Sequence, residues 1–186
     1  FLMQPGTVLG WSFVPEFVRL AAQPGSEIKL RRFFNALAST SFWAAAFGGV
    51  AFVLVGNHVL KAWTGEDFGM AWTTWALLGL WCSLATLPAN AQMFLWSLNR
   101  HVSWAVSSFV AMLCGVALLT WMLKTFSNTL VAISVTHLII EMVLVLLASY
   151  FMGGQLKLGP VSFLLGALNP FAVQRNVRRV SSSSRP

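Results

Sequence analysis

The chain has 186 residues, of which 57% are hydrophobic and 9% charged, and twelve Lys/Arg against five Asp/Glu leave a net charge of +7. An ordinary soluble domain is about 45–50% apolar and about 25% charged, so this sequence lacks the polar side chains to coat a water-soluble globule. That excludes a soluble enzyme and a disordered chain, and nucleic acid is no natural partner, because the basic residues flank apolar runs instead of building one basic face.

In chain order, Phe1–Leu20 is apolar but interrupted by Pro5, Gly6, Gly10 and Pro15, and reads as the end of a spanning helix or as a broken one. No basic stretch precedes it, so it is not a signal-peptide start; a fragment of a longer protein is expected. Four segments then carry the roughly 20 mostly apolar residues that a spanning helix needs: Phe33–Val59, Met70–Ser97, Ser103–Leu123 and Thr129–Met152. Glu141 is their only acidic residue, and none contains Lys or Arg. The runs are long and apolar all round, without the alternation of outer-membrane strands, and a helix satisfies its own backbone in lipid. The expected fold is an all-α integral membrane protein, a polytopic helical bundle with about four full transmembrane helices plus one partial over residues 1–152. A cytoplasmic tail follows over 153–186, broken by Pro160 and Pro170, in part interfacial and ending in a disordered Ser181–Pro186.

The basic residues set the expected topology. Arg19, Lys29, Arg31 and Arg32 in one link, Arg100 in another, and Lys157, Arg175, Arg178, Arg179 and Arg185 in the tail would share one side, leaving only Lys61 and Lys124 on the other. By the positive-inside rule the first side is cytoplasmic, with the C-terminus there. Trp63, Trp72, Trp75 and Trp121 fall near the outer boundary and Trp96 and Trp104 near the inner one, whereas Trp43 and Trp81 sit deeper, as packing residues. Pro88 predicts tilt or a kink in its long segment. Small residues at every fourth position (Ser107, Ala111, Gly115; Ser41, Ala45, Gly49) predict close helix approaches.

Glu141 is the sharpest functional candidate. It lies near the middle of its span, where a carboxylate is costly and faces an interior or a water-filled path. His137, four residues earlier, is on the same helical face. The pair is read as an ion-coupling or cavity-lining site, against the plainer reading of a hydrogen-bonded Glu that fixes packing. Asn90, Gln92, Asn99 and Arg100 are substrate-path candidates at the cytoplasmic half of their helix, or simply a helix end among headgroups. Arg31 and Arg32, with Arg19, could meet a lipid diphosphate or serve only as a topology signal. His58, Glu66 and Asp67 lack metal or acid/base spacing. Cys82 and Cys114 lie in apolar runs with no CxxC, and no cofactor or catalytic motif is present.

Three stretches together resemble a known family. Pro15–Phe34 (PEFVRLAAQPGSEIKLRRFF) resembles the helix end, Gly-containing cytoplasmic link and basic helix start of the polysaccharide flippases of the MATE/MOP superfamily, which include the Wzx-type O-antigen flippases. Val59–Phe68 (VLKAWTGEDF) is similar to the family's external Leu-x-x-Trp-x-Gly-x-x-Phe turn, and Phe94–Arg100 (FLWSLNR) to its short cytoplasmic hinge. The external link Lys124–Thr129 departs from the family's frequent Gly-x-x-Gly. The resemblance covers about Pro15–Met152. It implies part of the second lobe of a transporter that carries lipid-linked oligosaccharide across a bacterial inner membrane by alternating access. The partners would be membrane lipid, the lipid-linked oligosaccharide and the missing N-terminal lobe of the same protein. A small-molecule exporter of the same superfamily, a membrane-embedded glycosyltransferase using Glu66 or Asp67, and a non-transporting membrane subunit are the competing readings.

Overall fold

A computed structural model describes residues 4–67, 69–156 and 160–169. The expectations for Phe1, Lys157, the basic residues 175–185 and Ser181–Pro186 lie outside the described residues. Six helices follow in order: α1 Gln4–Ala21, α2 Glu27–Thr64, α3 Trp72–Ser97, α4 Val102–Thr125, α5 Thr129–Leu156 and α6 Pro160–Leu168. No strand occurs among the described residues.

Local chemistry sets several of the boundaries. Ser26 donates its hydroxyl to the Leu20 carbonyl, tying the end of α1 to the start of α2. Glu27 stands in the first turn of α2 and Lys61 in its last, the two charges that a helix dipole favours at those ends. Gly65 stops α2 at φ 76°, its N–H bonded to the Lys61 carbonyl, the left-handed termination that glycine adopts without Cβ strain. The helix therefore outruns the apolar stretch Phe33–Val59 at both ends. Asn128 opens α5 by accepting the Val131 N–H at 3.2 Å.

Neighbouring helices α2 and α3 run antiparallel, since Gly49 faces Gly79 and Gly56 faces Trp75. Helix α5 lies parallel to α3, with Trp81 beside Glu141 and Arg100 beside Gln155. Helix α4 runs back along α5, with Gly115 against Ile140 and Trp104 against Phe151. The α1–α2 link, the α3–α4 link and the end of α5 thus share one end of the bundle, here the basic end, which carries Arg19, Lys29, Arg31, Arg32 and Arg100.

The densest packing is at that end. Phe17, Phe34, Phe94 and Phe163, one from each of α1, α2, α3 and α6, are fully buried. Their rings meet edge-on at 5.1 Å (Phe17–Phe94) and 5.4 Å (Phe34–Phe94) and stacked at 5.7 Å (Phe34–Phe163). Along the bundle, small polar residues share the interior with apolar ones, and large apolar side chains face outward. Ser39, Ser41, Ser83, Thr86, Asn90, Ser134, Thr136 and Ser149 are buried, while Phe47, Leu54, Phe109, Leu113, Val116 and Leu146 face outward. Contiguous apolar faces of this kind suit lipid, not water.

Three helices, α2, α4 and α5, are long and apolar enough to cross a membrane. Four full spans were expected, and α3 is the one not among them. It is free of Asp, Glu, Lys and Arg, but Thr, Ser, Asn and Gln lower its apolarity, and several of these polar residues face the bundle interior. The helix continues through Pro88, with the Ser83 and Thr86 hydroxyls bonded to carbonyls of the turns before it. Helix α1 likewise continues through Pro15 and is not among the three.

The region after 152 differs from a detached tail. Helix α5 continues to Leu156, and α6 folds back against α2 and α5. Phe163 sits on Phe34, Gly166 on Asn35, and the final carbonyls of Leu168 and Asn169 accept from Trp43 Nε1 (3.1 Å) and Ser39 Oγ (2.7 Å). Helix α6 therefore runs in the direction of α2, from the basic end into the apolar stretch. The carbonyls at its far end are met by side chains as backbone at that depth requires.

Candidate functional site

Glu141 lies at the middle of α5 and is 8% exposed. Trp81, on α3, donates its indole N–H to Glu141 Oε2 at 3.2 Å. An indole N–H is a donor only, so this bond holds the carboxyl whether it is protonated or ionised. His137, one turn before Glu141, lies edge-on to the Trp81 ring at 5.4 Å and 75°. Its Nδ1–H donates to the Ile133 carbonyl at 2.9 Å. A carbonyl only accepts, so the bond assigns the proton of the neutral ring to Nδ1 and leaves the Nε2 lone pair as the group that can take up a proton. The three side chains make a polar contact between α3 and α5. Chemically, it is a carboxyl and an imidazole one turn apart on one helix, joined to the next helix by an indole donor.

Its placement depends on small residues. Gly49 and Gly79 bring α2 and α3 into backbone contact two residues before Trp81. The stripe Ser41, Ala45, Gly49 is buried on the face that makes this contact. The second stripe, Ser107, Ala111 and Gly115, lines a shallow apolar groove between α4 and α5, with Ile140 filling the space over Gly115.

The other candidates do not join Glu141. Asn90 is buried, nine residues and about 13 Å further along α3 at 1.5 Å per residue, and its Nδ2 has no hydrogen-bond partner. Gln92 is exposed. Asn99 and Arg100 sit at the basic end, where Arg100 Nη1 donates to Gln155 Oε1 at 2.9 Å. Arg31 and Arg32 are exposed in the first turns of α2. The polar set read from sequence is thus divided between a mid-bundle site and the basic end.

At the opposite end, Asp67 accepts from Lys61 Nζ at 3.1 Å and from the Gly69 N–H at 3.1 Å. The Lys61 hydrogen bond holds the Asp67 carboxyl below its usual range, with the Gly69 N–H adding to it. Its side chain is engaged in forming the link. Among the described residues no three His, Cys, Asp or Glu are grouped as a metal ion would need.

Trp81 and Gln155 are the hydrogen-bond partners of candidate residues that sequence reasoning missed. Its depth marks Trp81 as a packing residue, and the structure adds the hydrogen bond. The available signal was its depth: an indole N–H away from water seeks an acceptor, and Glu141 is the only carboxylate within the apolar segments. Trp104 and Trp75, expected at membrane boundaries, lie in the first turns of α4 and α3 and are buried, Trp104 against Phe151 and Trp75 against Gly56. Compared with known proteins, the chain matches no family model, no curated protein and no solved structure.

Proposed function

We propose that the chain is part of a membrane transporter that flips lipid-linked oligosaccharide across a bacterial inner membrane by alternating access, with Glu141 and His137 as its ion-coupling pair. In this reading α3 is a fourth spanning helix, its polar residues turned toward the bundle, and the basic end is cytoplasmic. The chain is then one part of a MATE/MOP-like second lobe, and the transport path forms against a lobe that it does not contain.

The observation that carries the reading is the buried contact of Glu141 with Trp81 and its neighbour His137. An ionisable side chain in the middle of an apolar span is a functional hypothesis by default. Here it bridges two helices whose relative movement a transport cycle would change. The ordered family-like motifs and the concentration of Lys and Arg at one end support the same reading.

Glu141→Gln in the full-length protein tests it. The amide keeps the shape and still accepts the Trp81 bond but cannot lose a proton. Flipping of lipid-linked oligosaccharide should be abolished with membrane expression intact. Normal surface polysaccharide in that variant would remove Glu141 from the mechanism, and a drug-sensitivity defect alone would favour the exporter.

A further inference from the structure

At the basic end, α3, α4 and α5 leave a cavity of about 410 Å³. Its mouth is built by the way α3 stops. Asn99 takes φ 54°, a left-handed conformation that Asn tolerates better than most residues. The Asn99 N–H bonds the Trp96 carbonyl at 2.9 Å and the Arg100 N–H bonds the Leu95 carbonyl at 2.8 Å. This is the paired closure of a Schellman motif, and it fixes the Arg100 backbone at the cavity rather than leaving it on a free loop.

Four polar side chains converge there. Arg100, Asn99 and Ser103 line the cavity with Gln155, which comes from the end of α5. A guanidinium has five N–H donors, and the Gln155 bond engages one nitrogen with a neutral acceptor, so it leaves the positive charge uncompensated. Among the described residues no Asp or Glu lines the cavity, while Leu95 and Phe151 supply apolar wall. Helix α4 begins at its edge without a side-chain cap on its first turn, which adds positive potential to the same place.

We propose that this cavity binds a phosphate group at the membrane surface, held by Arg100 together with Asn99, Ser103 and Gln155. Arginine matches phosphate oxygens in a fork that a lysine cannot make. Ser103 and the amides reach the remaining oxygens, and any attached hydrocarbon lies against Phe151 and Leu95. Basic pockets between helices at this depth bind anionic headgroups. The assignment does not depend on the transport reading or on Glu141.

The test is native mass spectrometry of the full-length protein from detergent, with added phosphatidylglycerol, phosphatidylcholine or inorganic phosphate. Wild type should retain one phosphate-bearing adduct. Arg100→Gln should weaken it about tenfold or more, since hydrogen bonds to a charged group are being lost, and Ser103→Ala should weaken it severalfold. Lys29→Gln, exposed at the same end, should leave it unchanged. Retention of phosphatidylglycerol that inorganic phosphate does not displace identifies a lipid headgroup. Displacement by inorganic phosphate identifies a site for the free anion. Equal weakening by Lys29→Gln and Arg100→Gln would mean diffuse surface attraction and overturn the proposal. So would undiminished binding in Ser103→Ala, which removes a single oxygen and keeps the test informative if Arg100→Gln does not fold.

Discussion

Gly49 on α2 and Gly79 on α3 meet backbone to backbone: a Cβ on Gly49 would stand 3.0 Å from the Gly79 carbonyl oxygen, and one on Gly79 would stand 3.2 Å from that of Gly49. Because the obstacle on each side is main chain, neither helix can yield by turning a rotamer. The contact sets the spacing of the two helices just where α3 presents Trp81 to Glu141.

A larger side chain here should therefore force the helices apart. Gly79→Val is expected to cost about 1–3 kcal/mol, the usual penalty of overpacking, read as a lower unfolding midpoint in detergent. Gly154→Ala is the control. It lies in α5 with nothing within 4 Å of the added Cβ, and should be neutral or stabilising by about 0.5–1 kcal/mol. Equal destabilisation by both would show that the Gly49–Gly79 contact does not set the packing.

Trp81 and Glu141 should be coupled energetically. Trp81→Phe keeps most of the ring and removes the N–H; Glu141→Leu removes the acceptor. Interhelical hydrogen bonds in membranes average about 0.6 kcal/mol in double-mutant cycles, so a coupling near that value is expected from unfolding of the two single variants and the double variant. Strict additivity would mean that the two side chains are neighbours without a bond of consequence.

Two side chains of α2, Ser39 and Trp43, hold the far end of α6. Ser39→Ala and Trp43→Phe each leave a carbonyl at the far end of α6 without its donor, at about 1 kcal/mol apiece. In the double variant α6 should loosen. A cysteine introduced at the half-buried Leu164, with Cys82 and Cys114 replaced, should then react faster with a water-soluble maleimide than in the same background with Ser39 and Trp43 intact. An unchanged labelling rate would place the hold on α6 in its apolar packing, centred on Phe163.

Asp67 should titrate below the usual Asp value of 3.8, chiefly because the Lys61 ammonium donates to its carboxylate. The sign follows from the lowered value. The pair favours the folded link above the ordinary pKa of Asp, and that contribution fades as pH falls through the lowered one. Carbon NMR of the labelled carboxyl group gives the midpoint directly, and Lys61→Met should move it upward. A midpoint indifferent to that substitution would assign the shift to the Gly69 N–H.

The sequence by itself determined the helical class and the positions of the four long apolar segments, because unbroken apolar runs with one internal charge leave the backbone no partner in lipid but itself. It also marked Glu141 and His137 as one face of one helix, since that needs only the 3.6-residue repeat, and it marked Ser41, Ala45 and Gly49 as a close-packing stripe. What it did not carry is which helix meets which. Trp81 as the donor to Glu141, Gln155 as the acceptor for Arg100, and the carbonyls of α6 bound by Ser39 and Trp43 are pairings between residues 55 or more positions apart. Periodicity within one helix says nothing about rotation or height relative to another. The separation of Asn90, Gln92, Asn99 and Arg100 from the Glu141 site has the same cause: a helix spreads nearby sequence along its length at about 1.5 Å per residue, and only the packing of α1, α2 and α5 around α3 decides which of those levels becomes a site.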